Sequence, residues 1–197
     1  MRKVVIASSN PGKLREIQAI LAPLAIEAIP QSQFDVAEAL EPHLSFVENA
    51  LAKARHASRA TELPALADDS GICIDVLNGA PGVHSARFAG EPKSDARNNQ
   101  KLMQMLANES NRHAYYYCVM VLTRTSFDPQ PVIAEGIWHG EIVIEPRGTG
   151  GFGYDPYFYV PRLCKTAAEL QAEEKNAISH RGQALHELVK KLLWSPL

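Results

Sequence analysis

Cysteine is scarce: Cys73, Cys118 and Cys164 are the only three in 197 residues, and none belongs to a C-x-x-C pair. Such a scattered, odd set excludes a disulfide framework and a zinc site built on paired thiols. It predicts buried free thiols in a reducing compartment. No sign of charge dominates, with 20 Lys+Arg against 22 Asp+Glu and a net charge of −2. The missing basic field argues against nucleic-acid binding, though not against a small polyanion gripped by local cations. Long apolar runs are also lacking. M-R-K-V-V-I-A carries a four-residue run, too short for a signal peptide or a membrane span. A cytoplasmic protein with no membrane partner is expected. There is no repeat, low-complexity tract or long linker, so residues 1–197 read as a single domain. The seven histidines form no H-E-x-x-H. No G-x-S-x-G elbow occurs.

What is present suits a globular chain: 46% hydrophobic and 21% charged residues, enough for a core. Val4 to Ala7 predicts a buried strand. A helix follows with Leu14, Ile17, Ile20, Leu21 and Leu24 on one stripe, then a strand at Ile26 to Ile29. Residues 31–44 read as an acidic loop with Asp35, Glu38 and Glu41. Ser45 and Glu48 form a capping box for a helix that turns Phe46, Ala50, Leu51 and Ala54 inward. A-L-A-D-D-S-G-I-C-I-D-V reads as strand, sharp turn, strand. Residues 94–107 read as a helix, and Tyr115 to Thr125 with Val132 to Ile144 as a long antiparallel pair. Ser179 is the expected N-cap of a last helix with Leu185, Leu188, Val189, Leu192 and Leu193 on its stripe. Strands interleaved with helices, then long strands, indicate a mixed α/β fold.

Four stretches carry chemistry. In S-S-N-P-G-K, Asn10 suits an N-cap and Pro11 a first helical position. Lys13 then falls in the first turn, where the helix dipole is already positive. His180 and Arg181 repeat that oddity at the last helix. Two such cases point to an anion held at helix N-termini, a phosphate chain above all. The loop is no Walker A motif, since Leu14 follows Lys13 and the upstream glycine is absent. In A-D-D-S-G, adjacent carboxylates in a cleft need a cation, and Mg²⁺ fits with one or two of them. Glu41 offers a further oxygen; an Asx-type turn is the competing reading. G-T-G-G-F-G-Y-D-P satisfies G-x-G-x-x-G but opens no helix, which rules out a dinucleotide fingerprint. Phe152 and Tyr154 either stack on a nucleobase or pack as core aromatics beside a turn. In E-E-K-N-A-I-S-H-R-G, Lys175, His180 and Arg181 form a donor set suited to a keto oxygen.

In combination these blocks resemble the inosine/xanthosine triphosphate pyrophosphatase family, as do F-V-E-N-A-L-A-K-A-R, G-A-P-G-V-H-S-A-R-F-A-G and K-T-A-A-E-L. The resemblance spans most of the chain. It implies hydrolysis of deaminated purine nucleoside triphosphates (ITP, dITP, XTP) to monophosphate and pyrophosphate, which cleanses the nucleotide pool. It implies a two-lobed α/β fold with a long central mixed sheet flanked by helices, a cleft between lobes, and a homodimer. By the resemblance, Ser8, Ser9, Asn10, Pro11, Gly12 and Lys13 hold the triphosphate, and Asp69 binds Mg²⁺ and accepts the proton of the attacking water. Glu41 is the second metal ligand, and Ser70 contacts substrate. Phe152, Gly153, Tyr154 and Asp155 embrace the nucleoside. Lys175, His180 and Arg181 complete base recognition, with Lys53 and Asn49 a secondary phosphate contact. Ser8 replaces the family's usual threonine and keeps the hydroxyl. Pro42-His43 replaces a small Thr-Gly pair, which predicts a stiffer loop and a displaced Glu41. Two other classes remain: a serine hydrolase on Ser70, and a nucleotide-binding regulator that releases no pyrophosphate.

Overall fold

The computed structural model describes residues 2–24 and 26–194; the side chains of Arg2, Leu193 and Trp194 and the last three residues of the W-S-P-L tail lie outside the described set. In chain order the elements are β1 (Arg2–Ile6), α1 (Pro11–Leu21), β2 (Ile26–Pro30), α2 (Phe46–Thr61) and β3 (Ala65–Ile74). Then come α3 (Asp95–Met105), β4 (His113–Thr123), β5 (Val132–Ile142), β6 (Phe158–Val160), β7 (Lys165–Thr166), α4 (Ala172–Ile178) and α5 (His180–Trp194). The strands form one seven-stranded sheet in the order β2-β1-β3-β4-β5-β6-β7. β1 runs parallel to β2 and β3, while β6 runs antiparallel to β5 and β7, so the sheet is mixed. β4 and β5 are hydrogen-bonded neighbours, as their long β-rich runs predict.

Local chemistry accounts for the helix starts. Asn10 caps α1, its Oδ1 accepting from Gly12 N at 2.9 Å and Lys13 N at 3.1 Å, with Pro11 leading the first turn. The stripe ends earlier than its spacing predicts: Ile17 and Leu21 are buried, but a 3-10 turn at Ala22–Leu24 takes over and leaves Leu24 exposed. Ser45 caps α2 through Glu48 N. The Glu48 carboxylate takes the Ser45 hydroxyl at 2.5 Å, so the capping box closes on the side chain. Ser179 is extended and separates α4 from α5. Cys73 and Cys118 are buried and Cys164 is exposed, which corrects the expectation of three buried thiols. Burial pushes the Cys118 thiol up to about 12, an unreactive state.

The chain divides into two compact units, and both the β3 boundary and those in β4 and β5 fall within strands. The first unit comprises Met1–Asp69, Cys118–Gly136 and His180–Leu197. Its core gathers Val4, Ile6, Ile17, Leu66, Met120 and Leu185, with α1 packed on α5. The second comprises Ser70–Tyr117 and Ile137–Ser179. Its core includes Ile72, Leu102, Tyr116, Trp138 and Phe158, with ring centroids 4.6 Å apart for Tyr116–Phe158 and 5.0 Å for Trp138–Phe158.

The strand–turn–strand expectation for Ala65 to Ile74 is overturned: this is one ten-residue strand, buried at nearly every position. Gly71 sits there for space rather than for a turn. A Cβ at that point would lie 2.2 Å from the Gly82 carbonyl oxygen and 2.5 Å from Ser85 Oγ, which itself accepts from Ile72 N at 2.9 Å. Gly71→Ala is therefore expected to destabilise the protein by about 1–3 kcal/mol through overpacking, read as a lower urea midpoint at constant m-value. An unchanged midpoint would mean the 82–85 turn yields freely.

Candidate active site

Consecutive residues of a strand point to opposite faces. That periodicity explains how two adjacent aspartates can both be buried, Asp68 at 1% exposure and Asp69 at 5%. Each side has its own cations. Asp68 Oδ2 accepts from Lys13 Nζ at 2.9 Å, and from Arg181 Nη2 at 3.2 Å and Nε at 3.4 Å. The third guanidinium nitrogen, Nη1, donates to Glu16 at 2.5 Å. On the other face, Asp69 Oδ1 lies 3.5 Å from Lys53 Nζ, which donates to Glu41 Oε1 at 2.6 Å. Asp69 Oδ2 accepts from Asn49 Nδ2 at 3.2 Å.

The two carboxyls titrate in opposite directions. Burial alone would raise Asp68, but Lys13 and Arg181 outweigh it and hold the carboxyl well below the usual carboxylate range. For Asp69, burial prevails over Lys53 and Lys13, with Glu41 and Asp68 adding to it, and the pKa rises. A buried carboxylate with a raised pKa is a better general base than a solvated one. Burial also works against the Lys53 ammonium, but Asp69, Asp68 and Glu41 more than offset it, and its pKa is raised.

The loop between β1 and α1 has the form of a phosphate cradle, a strand end running into a helix N-terminus. Ser8 Oγ accepts from Asn10 N at 3.2 Å, and the Ser9 hydroxyl donates to Glu38. Ser9, Asn10 and Pro11 are exposed and Gly12 is buried. Lys13 is not awaiting its first anion, since Asp68 already faces it. His43 is held through its backbone by Asn49, and Glu41 reaches Lys53.

In the second unit, the glycine-rich stretch wraps a buried carboxylate. Asp155 Oδ2 accepts from Phe152 N at 2.9 Å and Lys175 Nζ at 2.7 Å, and Oδ1 accepts from Tyr116 at 3.4 Å. Gly151 has φ +71°, and a Cβ there would fall 2.0 Å from Asp155 Oδ2. Asp95 accepts from Gly153 N at 2.8 Å, and Asn99 donates to Gly153 O at 3.0 Å. Phe152 is half-buried, with the Lys175 ammonium 4.9 Å from its ring centroid. Of the two readings open for Tyr154, the core one holds: it is 4% exposed and donates its hydroxyl to Ser85 O at 2.8 Å.

The sequence-predicted residues thus fall into two groups. Lys13, Glu41, Asp69 and Arg181 are gathered by one charge network, with Ser70 half-buried next along β3 and His180 buried at the head of α5. Phe152, Gly153, Asp155 and Lys175 belong to the glycine-loop assembly. Arg181, expected from the sequence to offer a donor fork to a base, here bridges Asp68 and Glu16. Asp68, Glu16, Asp95, Asn99 and Tyr116 were not singled out in the sequence. Glu16 had a signal, three residues after Lys13 on the same helical face.

Glu41 and Asp69 share one ammonium, so a cation between these carboxylates suits the site. In the whole network four carboxylates face three cationic side chains, leaving a net negative site. Mg²⁺ needs only one or two protein carboxylates and takes water and phosphate oxygens besides. Among the described residues no group of three or more His, Cys, Asp or Glu is arranged to hold a metal, which is unlike a zinc site.

A sequence profile of the Ham1 family matches residues 4–191. A curated relative from Nitrosomonas europaea named dITP/XTP pyrophosphatase is 66% identical over 98% of this chain and 95% of its own. One of the same name from Ralstonia nicotianae is 61% identical over 98% and 97%. Among solved structures, a HAM1 protein from Coxiella burnetii superposes with a TM-score of 0.91 at 52% identity, covering 99% of this chain and 100% of that one. The Staphylococcus aureus Ham1 protein gives 0.86 at 38% identity with both chains fully covered.

Proposed function

Because the chain belongs to the Ham1 family, we propose that it hydrolyses dITP, XTP and ITP to the nucleoside monophosphate and pyrophosphate, removing deaminated purines from the nucleotide pool. The observation that carries this is Asp69: a buried carboxylate in hydrogen-bonding reach of Asn49 and Lys53 and one residue from the anchor of Lys13. Asp69 orients the attacking water and takes its proton. Lys13 and the first turn of α1 receive negative charge developing on the phosphates. Asp69 and Glu41 would hold Mg²⁺, which would supply water activation and charge neutralisation at the phosphates. Ser8 to Gly12 and Ser70 orient the triphosphate.

For base choice, Phe152 provides the stacking face and Lys175 the donor. An ammonium has three hydrogens and no acceptor, so it donates to a 6-keto oxygen and leaves the 6-amino group of adenine unpaired. Asp155 holds that ammonium in place. His180 completes the donor set. The working form is a cytoplasmic homodimer.

Pyrophosphate release from dITP, ITP, XTP, ATP and GTP, with Mg²⁺ or with EDTA, tests all of this together. The keto nucleotides should exceed ATP by about 10²-fold or more, and EDTA should abolish turnover. Equal release from ATP would discard the role of Lys175. Undiminished release in EDTA would discard the metal.

A further inference from the structure

Asn49 lies one turn into α2 and is 1% exposed. Its carboxamide is fully engaged. Oδ1 accepts from His43 N at 3.1 Å, and Nδ2 donates to His43 O at 3.2 Å and to Asp69 Oδ2 at 3.2 Å. Two of these bonds grip the backbone two residues beyond Glu41. The third grips the carboxylate on β3. One side chain therefore ties the loop that carries Glu41 to the strand that carries Asp69. Both amide hydrogens are placed, so none is left over for a phosphate. Asp69 is held at both oxygens, Oδ2 by this amide and Oδ1 by Lys53, which fixes its rotation about the Cβ–Cγ bond.

We propose that Asn49 is a positioning residue for hydrolysis: it sets the rotation of the Asp69 carboxylate and its separation from Glu41, and does not contact the substrate. This rests on the pyrophosphatase reading above and replaces the phosphate contact expected of Asn49 from the sequence. Chemistry limits what can stand in its place. Aspartate has the same shape but no hydrogen to donate, and brings a like charge to Asp69. Alanine releases both the loop and the carboxylate.

The test compares Asn49→Ala and the isosteric Asn49→Asp, each in the full chain and each again in an Asp69→Asn background. Steady-state kinetics on dITP, nucleotide affinity by calorimetry, and hydrogen exchange at the His43 amide are measured. Orienting partners one shell out typically give about 10–100-fold effects, so kcat should fall by that factor while KM and nucleotide affinity stay within about threefold. In the Asp69→Asn background the same change should cost less than about twofold, because the group it orients no longer acts as a base. The His43 amide should lose exchange protection in Asn49→Ala. A raised KM with kcat retained would make Asn49 a substrate contact and overturn the proposal, as would a full additive loss beside Asp69→Asn. A lowered Tm with kcat retained would leave only a brace. Asn49→Asp keeps the comparison readable if the alanine variant does not fold. A wild-type chain without turnover removes the pyrophosphatase reading itself, and the inference with it.

Discussion

Asp69→Asn should lower kcat on dITP by about 10²–10⁴-fold, the range lost with a general base, while nucleotide affinity changes by less than about threefold. The carboxamide keeps the size of the side chain, and its one oxygen can accept from either Asn49 or Lys53, with its NH2 turned toward the other donor. What disappears is the acceptor for the water proton. A second signature separates this loss from unfolding. Because the folded pKa of Asp69 lies above its unfolded value, the ionised form is disfavoured by folding, and this cost applies at pH values above the unfolded pKa. Removing the charge should therefore leave Tm at neutral pH unchanged or higher, as often happens where an active-site group sits in unfavourable surroundings. Turnover within a factor of about three of wild type would remove Asp69 from the chemistry. A lowered Tm would mean the carboxylate is chiefly structural.

Arg181→Ala should produce the largest stability loss, about 3–5 kcal/mol, since it removes a buried guanidinium paired with both Asp68 and Glu16 and leaves Asp68 with Lys13. For a chain of this length that corresponds to a fall in Tm of roughly 6–20 °C. Arg181 is 1% exposed, and its guanidinium bridges Asp68 on β3 to Glu16 on α1. Arg181→Lys should not rescue it, because one ammonium cannot reproduce a planar fork between two carboxylates. The pH dependence has a definite sign. Asp68 is depressed in the folded state, so its contribution is present above its unfolded pKa of about 4 and is lost as pH falls below that value. In the variant Asp68 protonates more readily, which relieves the less fully paired charge. The gap between wild type and variant should accordingly narrow from pH 7 towards about pH 3.5 in urea titrations. A variant as stable as its parent would return Arg181 to the role of a donor open to a base.

How far each feature was legible in the sequence follows the distance over which its physics acts. The Asn10 cap, Pro11 and the misplaced Lys13 are local, and the first turn of α1 is built as they predict. The mixed sheet and its helices follow from periodicity in the same way. D-D-S-G was misjudged because its composition suits a turn, whereas the partners that keep it extended lie elsewhere. Asn49 is 20 positions from Asp69, and Arg181 is 113 positions from Asp68. No local pattern reveals such pairings. Tyr154 shows the same limit, since whether an aromatic beside glycines is buried depends on Ser85, 69 residues away. Donor chemistry singled out Lys175 and Arg181. Only the fold reveals that both already have carboxylate partners, Asp155 and Asp68.

The contact between Lys13 and Asp68 bears on how the protein behaves amid the phosphate, sulfate and carboxylates of a cell. An isolated ammonium at a helix N-terminus would attract any of these anions. Here Lys13 rests against an internal carboxylate at 2.9 Å, so a visiting anion must share or displace that contact before gaining anything from the cation. A lone inorganic phosphate recovers little from such an exchange. A triphosphate engages several groups at once and offsets it readily. The Lys13–Asp68 pair thus sets a cost that a single small anion meets in full and that a ligand carrying a chain of charges can spread over several contacts.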